Sequence, residues 1–425
     1  MSQAVPTVLA LLDHYLPGYK AGGPVRSVHQ LVTQLGGEFR FRVVTRDRDA
    51  GDTAPYPGVP ANRWQRVGRA DVLYLSPDRL NTASMRDILT GTPHDLLYLN
   101  SLFSPRFSAA PLLLRRLNAA PSRRVVLAPR GELHPSALGT GDWGRLVPPR
   151  LVSGIRTPRY LKKQTYLRFA RSAGLFRGIT WQASTEQERI HIQHALGAGT
   201  EVVVAPDLVP PPAPTSALLR DKRPGDLRVV FLSRLCAMKN LRGAAEALRG
   251  VRGPVRFDIY GPVDDARYWE ECRGILEALP PSVTVRYMGP VPHDAVAAIF
   301  RDAHLLLLPT LGENFGHVIL EALSEGCPVL ISDQTPWREL TQRRAGWDLP
   351  LADIPAFTAV LEQCLAMDAE EFGRWSAGAA ALARAWSAAG WPRDRNRALF
   401  GGPAAADAPE GAPARSGGHV VADAP

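Results

Sequence analysis

Eleven short apolar runs punctuate the chain, and they constrain the fold more than any other feature. They are TVLALL (7–12), FRVVT (41–45), VLYL (72–75), DLLYLN (95–100), RVVLAP (124–129), EVVVAP (201–206), RVVFLSR (228–234), VRFDIYG (255–261), VTVRYMG (283–289), AHLLLLPT (303–310) and PVLIS (328–332). Most are continuous rather than alternating in polarity, the pattern of strands buried on both faces in parallel sheets. Helical patterns fill many intervals; in 22–35, Val25, Val28, Leu31, Val32 and Leu35 fall on one face. Strand–helix alternation predicts right-handed βαβ units and an α/β, doubly wound architecture.

A chain of 425 residues exceeds one typical domain. The segment 205–226 carries six prolines and no apolar periodicity, which is linker composition. The expected division is a first Rossmann-like domain over 1–205, a Pro-rich linker over 206–226 and a second Rossmann-like domain over 227–385, facing across a cleft. A helix over 386–400 is placed to cross back to the first domain. In 401–425, 17 residues are Gly, Ala or Pro, and the segment is expected to be a disordered tail.

Composition is globular, with 45% apolar and 21% charged residues. A formal charge of +9 favours anionic partners without choosing among phosphorylated small molecules, nucleic acid and anionic lipid. Cys236, Cys272, Cys327 and Cys364 have no paired spacing, so neither a disulfide framework nor a zinc site is expected, and a reducing cytoplasm fits. The opening MSQAVPTVLALLDHYLPG lacks a basic start and is broken by Asp13 and His14, so it reads as a first strand rather than a signal peptide. No window approaches 18 uninterrupted apolar residues, and no transmembrane helix is expected.

Three segments could carry chemistry. In LPTLGENFGHVILEALSEGCPVLISD (308–333), Glu313 sits where a strand should end, which is where open α/β sheets bind ligands. A helix should start near Phe315 or Gly316 and stop before Gly326, and its first N–H groups suit phosphate. Glu321 lies eight residues past Glu313, at most about 12 Å along a helix axis. Phosphate at a helix start with a hydroxyl-binding acid on either side is the shape of a nucleotide-sugar site; a solvated helix with two incidental acids fits the spacing equally. In FLSRLCAMKNL (231–241), Arg234 follows a buried strand and Lys239 precedes the next helix. Two cations at one strand end suit a diphosphate, though an exposed loop with incidental cations is the plainer reading of that motif alone. In YKAGGPVRSV (19–28), Gly22 and Gly23 allow close backbone approach and Pro24 suits a first helical position, while a plain tight turn is the alternative. GxGxxG is absent, which lowers the case for a dinucleotide site.

Taken together, these segments resemble retaining glycosyltransferases of family 4 (glycosyl transferases group 1, bacterial polysaccharide-assembly type), which have the GT-B fold. The E-x7-E motif is Glu313 to Glu321, SRLCAMKN is similar to the family's GRL-x3-KN with Ser233 for glycine, and AGGPVRSV resembles its glycine-rich loop. The resemblance implies that Arg234 and Lys239 hold the donor diphosphate, Glu313 contacts the transferred hexose and Glu321 accepts from ribose hydroxyls. Gly22, Gly23, Asn314, Phe315, Gly316 and His317 would complete the donor site. It further implies front-face transfer with retention, without metal, cofactor or protein nucleophile. Where many relatives carry PHG, this chain has APRGELHP (128–135), which puts Arg130 at the histidine's position and His134 four residues on; Arg130 is a catalytic candidate that could contact phosphate or acceptor, or a packing arginine on a loop, and neither residue is assigned as a base.

TRDRD (45–49) looks like a DxD metal motif but sits amid arginines and reads better as loop charges. Residues 145–177 carry nine Lys or Arg and no acid, a segment that could meet an anionic membrane or a lipid-diphosphate acceptor, or form a solvated basic helix. The expected function is sugar transfer from a UDP- or GDP-linked donor to a glycan or lipid-linked acceptor in polysaccharide, capsule or lipopolysaccharide assembly. No nucleic-acid partner is expected. The enzyme would be cytoplasmic, with peripheral contact to the inner membrane. A nucleotide-sugar epimerase of the same fold, or a donor-binding subunit without turnover, are the alternatives.

Overall fold

The computed structural model describes residues 5–121, 123–138, 158–210 and 221–401. The first domain contains strands β1 (Thr7–Leu11), β2 (Arg40–Arg46), β3 (Trp64–Val67), β4 (Ala70–Leu75), β5 (Leu96–Asn100), β6 (Arg124–Ala128), β7 (Ile179–Ala183) and β8 (Val202–Val204). Its helices are α1 (Gly23–Leu35), α2 (Thr82–Gly91), α3 (Ala110–Arg116), α4 (Pro135–Leu138), α5 (Pro158–Ser172) and α6 (Glu186–Leu196). The second domain contains β9 (Leu227–Leu232), β10 (Val255–Tyr260), β11 (Val283–Gly289), β12 (Leu305–Leu308), β13 (Val329–Ser332) and β14 (Gly346–Leu349). Between and after them run α7 (Leu241–Arg249), α8 (Ala266–Glu277), α9 (His293–Asp302), α10 (His317–Ser324), α11 (Ile354–Ala366), α12 (Ala369–Ala388) and α13 (Trp391–Leu399).

The first sheet has the order β3-β4-β2-β1-β5-β6-β7-β8 and the second β11-β10-β9-β12-β13-β14. Every pairing is parallel except β3 with β4. The fold is therefore α/β with two Rossmann-like domains. Strand order reverses between β1 and β5 in one sheet and between β9 and β12 in the other. At such switch points successive connections leave toward opposite faces and open a crevice beyond the strand ends.

Continuous burial explains the continuous apolar runs. Leu305, Leu306, Leu307 and Leu308 are all fully buried, each stabilising the sheet by about 1.5–3 kcal/mol through burial. Each of the eleven expected runs forms a strand; β3, β7 and β14 were not expected. β3 and β14 are edge strands with polar residues, and β7 carries the buried Gln182, whose amide donates to Ala205 O at 2.8 Å. In each case polar content breaks the apolar run that signals a buried strand.

The chain leaves the first domain near 205 and comes back through α13. Phe400 packs edge-on against Tyr98, Phe39 and Phe41, with centroids 5.1, 5.8 and 6.1 Å away. The buried Asn396 donates to Pro206 O at 2.7 Å. Of the expected linker, 211–220 lie outside the described residues, as do the tail beyond 401 and 145–157 of the basic segment.

Candidate active site

The two motifs of the second domain meet because β9 and β12 are neighbours at the switch point. Arg234 and Lys239 lie on the connection after β9, and Glu313 to Gly316 on the connection after β12. Asn240 stitches them: its backbone is left-handed (φ 57°), its Oδ1 caps α7 through Gly243 N (3.1 Å), and its Nδ2 donates to Pro309 O (2.8 Å). Met238 O accepts from Leu311 N at 2.8 Å and from the Thr310 hydroxyl at 3.0 Å. Held this way, Lys239 forms an ion pair with Glu313 in which both side chains are largely buried. Arg234 pairs with Asp264 at 2.9 Å while its guanidinium stays half-exposed.

Helix α10 begins at Gly316, whose φ of 80° is strained for any residue with a Cβ, and no side chain caps it. Across the cleft α1 begins at Gly22 (φ 72°), again without a side-chain cap. Helices α3, α9 and α13 also lack a side-chain cap, whereas α2, α6, α7, α8, α11 and α12 are capped by Asn81, Thr185, Asn240, Asp265, Asp353 and Asp368. An uncapped helix start offers free N–H groups and a positive dipole end, the chemistry that holds phosphate. The loop before α1 is fixed by Asp49, which accepts from Tyr19 N at 2.8 Å and Lys20 N at 3.1 Å. That accounts for one aspartate of TRDRD, and Asp47 pairs with Arg48 at 2.8 Å. Among the described residues no group of three or more His, Cys, Asp or Glu is placed to hold a metal.

The domains touch through the expected site residues. Asn314 donates to Ser184 Oγ at 3.2 Å, and a Cβ on Gly23 would lie 3.5 Å from the His317 ring. Phe315 is buried beside Trp337, which donates its indole N–H to Phe315 O at 2.7 Å. Glu321 pairs through Oε1 with Arg26 of α1, while its Oε2 is buried without a hydrogen-bond partner. Between them the two domains line a cleft of about 1450 Å³. That exceeds the roughly 300–1000 Å³ of ordinary ligand pockets and leaves room for two substrates.

Arg130 is brought to the cleft but turned into its wall. Its backbone is left-handed (φ 53°) and its side chain is only 5% exposed. The guanidinium donates to Tyr98 (2.7 Å), Asn100 (3.1 Å), Ser184 (3.5 Å) and Asp207, which occupies its five N–H groups. The structure thus holds the Arg130 side chain in a buried hydrogen-bond network in the wall of the cleft.

Asp207, inside the Pro-rich segment, was not singled out from the sequence. One oxygen pairs with Arg130; the other accepts from Ser27 Oγ at 2.8 Å and lies 3.1 Å from His317 Nε2. Burial pushes this carboxyl up, but Arg130, His317 and Ser27 more than offset it and hold it below the usual carboxylate range. Glu188 was also missed. Burial pushes its carboxyl up, opposed by N–H groups of Ser184 (2.7 Å) and Gly131 (2.6 Å). A capping signature, Thr185-x-x-Glu188, was readable in advance. His134 stands against Gly312 across the cleft with its ring 4.5 Å from that of His191, and burial lowers its pKa to about 4.

Comparison with known proteins then bears on this geometry. Residues 226–367 match the profile of Glycosyl transferases group 1. That segment holds Arg234, Lys239, Glu313 and Glu321. The chain is 31% identical over 162 residues to a phosphatidyl-myo-inositol mannosyltransferase of Mycobacterium leprae, covering 37% of this chain and 42% of that protein. It is 29% identical over 146 residues to O-antigen chain mannosyltransferase B of Escherichia coli, covering 33% and 37%. The match thus spans less than half the length of these relatives. Among solved structures, Anabaena HepE in complex with UDP and glucose superposes with a TM-score of 0.63 at 15% identity, over 93% of this chain and 98% of that one. WaaG, a glycosyltransferase involved in lipopolysaccharide biosynthesis, gives 0.60 at 17%, over 93% and 100%. These neighbours share the two-domain GT-B fold.

Proposed function

We propose that the protein is a retaining glycosyltransferase that moves a sugar from a nucleoside-diphosphate donor to a glycan or lipid-linked acceptor. The observation that carries this is the meeting, at one switch point, of the Lys239–Glu313 pair, Arg234 and the uncapped start of α10, opposite the uncapped start of α1. The relatives named as mannosyltransferases and the neighbour solved with UDP and glucose support the same class.

In this reading Lys239 and Arg234 face the diphosphate and stabilise the charge that grows on it as the C1–O bond breaks. Glu313, oriented by Lys239, meets the hexose, and backbone N–H groups at Gly316 and His317 meet phosphate. The acceptor hydroxyl bonds to C1 from the face the diphosphate leaves, and its proton passes to a leaving phosphate oxygen. No resident metal or cofactor is called on, and Arg130 acts through the scaffold.

The acceptor side favours a bilayer surface. On α5, Leu161 and Phe169 are 68% and 59% exposed and sit two turns apart among Lys162, Arg168 and Arg171. Arg116 Nε donates to Ala173 O at 3.0 Å, which joins this helix end to the exposed Leu113 of α3 and Leu117 just after it. Among the described residues no helix is long and apolar enough to cross a membrane, and the contact proposed is a peripheral one.

The test is incubation with UDP- and GDP-sugars, with and without a lipid extract. Acceptor-dependent release of nucleoside diphosphate supports transfer. A new nucleotide sugar formed without acceptor would mean epimerisation, and thermal stabilisation without turnover a binding subunit. Neither stabilisation nor turnover with any donor refutes the reading.

A further inference from the structure

Helix α1 is the first domain's contact with α10, and Arg26 is the residue it places on Glu321. Arg26 Nη1 donates to Glu321 Oε1, with His293 Nδ1 4.0 Å from the same oxygen. Both side chains of the pair are about a quarter exposed or less. Oε2 of the same carboxylate is buried and has no partner. A carboxylate offers about four acceptor sites, and a buried oxygen without a donor is a costly exception in folded proteins. Glu321 is thus satisfied by the protein on one oxygen only, and the other lies buried without a donor just behind the cleft wall that its neighbours Arg26, His293, His317 and Val318 form.

We propose that Arg26 is a positioning residue for the donor, holding Glu321 by one oxygen so that the other accepts a hydroxyl of the bound nucleotide. This rests on the donor reading above and deepens it. Arg26 belongs to the first domain and Glu321 to the second, 295 residues apart in sequence. The oriented carboxylate therefore exists only when the domains are together. A donor that prefers this carboxylate favours the closed cleft by the same factor by which closure strengthens donor binding. Arginine suits the task because its charged N–H···O⁻ bond is roughly twice as strong as a neutral one and its guanidinium keeps its charge at any working pH.

The experiment uses the full chain as wild type, Arg26→Ala and Arg26→Lys. UDP and GDP binding is measured by titration calorimetry, and the radius of gyration by small-angle X-ray scattering at saturating nucleotide. Circular dichroism checks folding, and Arg26→Lys carries the test should the alanine variant not fold. Wild type should bind one of the two nucleotides, Arg26→Ala should bind it about tenfold more weakly, and Arg26→Lys should recover part of the loss. The saturated alanine variant should also stay more extended than saturated wild type. Undiminished affinity in Arg26→Ala, with wild type binding normally, overturns this inference alone, and weakened binding with unchanged compaction overturns the coupling to closure. Failure of wild type to bind either nucleotide overturns the donor reading and this inference with it.

Discussion

Replacing Asp207 by alanine removes the carboxylate that joins Arg130, Ser27 and His317. Arg130 and Asp207 are each 5% exposed, so the substitution leaves a buried guanidinium without its counter-charge. Breaking such a pair from one side costs about 3–5 kcal/mol, and the lost bonds from Ser27 and His317 add roughly 1 kcal/mol each where they do not overlap. A loss of about 4 kcal/mol should lower Tm by roughly 8–16 °C for a domain of this size. Differential scanning calorimetry of Asp207→Ala, Arg130→Gln, Asp207→Asn and the double variant Arg130→Gln/Asp207→Asn would measure it. The double variant should lose at least about 2 kcal/mol less than the sum of its two singles, because no charge is then left unpaired. A cost below about 1 kcal/mol for Asp207→Ala, or a double variant as poor as that sum, would refute the reasoning. The sign with pH is fixed by the direction of the shift. The folded-state pKa of Asp207 lies below its unfolded value, so its contribution is complete above about pH 4 and is lost only as acid carries the pH through the folded value.

Other outcomes follow from the same structure. Lys239→Ala should lower kcat/KM for the donor by about a hundredfold, since it removes a cation from the developing diphosphate and unpairs Glu313; steady-state kinetics with the active donor checks this. His134 and His304 are both lowered to about 4 by burial, so unfolding releases groups that bind protons more readily. Stability should therefore fall as pH drops from about 6.5 toward 4, and His134→Gln should flatten part of that slope in Tm-versus-pH scans. Leu307→Ala, in the fully buried β12, should cost about 2–5 kcal/mol in urea unfolding with no change in the residual enzyme's KM. Leu161→Ser with Phe169→Ser should reduce sedimentation with anionic vesicles several-fold while leaving nucleotide binding as it was.

Much of the fold and about half of the candidate site could be read in advance, and the physical reason is locality. A strand buried on both faces needs an uninterrupted apolar run, and all eleven such runs formed strands. A ligand-facing helix start needs a turn residue and a free first turn, and Gly22 and Gly316 marked both. The side chains after β9 and β12 were legible because strand ends are where sheets of this kind present ligands. β7 was not, because Gln182 interrupts its apolar run to serve contacts that only the folded chain supplies.

The sequence by itself determined the two sheets, the position of the cleft at their strand ends and the placing of Arg234, Lys239 and Glu313 beside it. Tertiary structure alone decided how the charges of the cleft are paired. Arg130 and Asp207 are 77 residues apart, and Arg26 and Glu321 are 295 apart, so no periodicity links either pair. The first pairing joins the segments that follow β6 and β8 of one sheet, and the second arises because the two domains bring α1 and α10 face to face. Desolvation there requires every charge to find a partner, whichever residue the geometry places nearest.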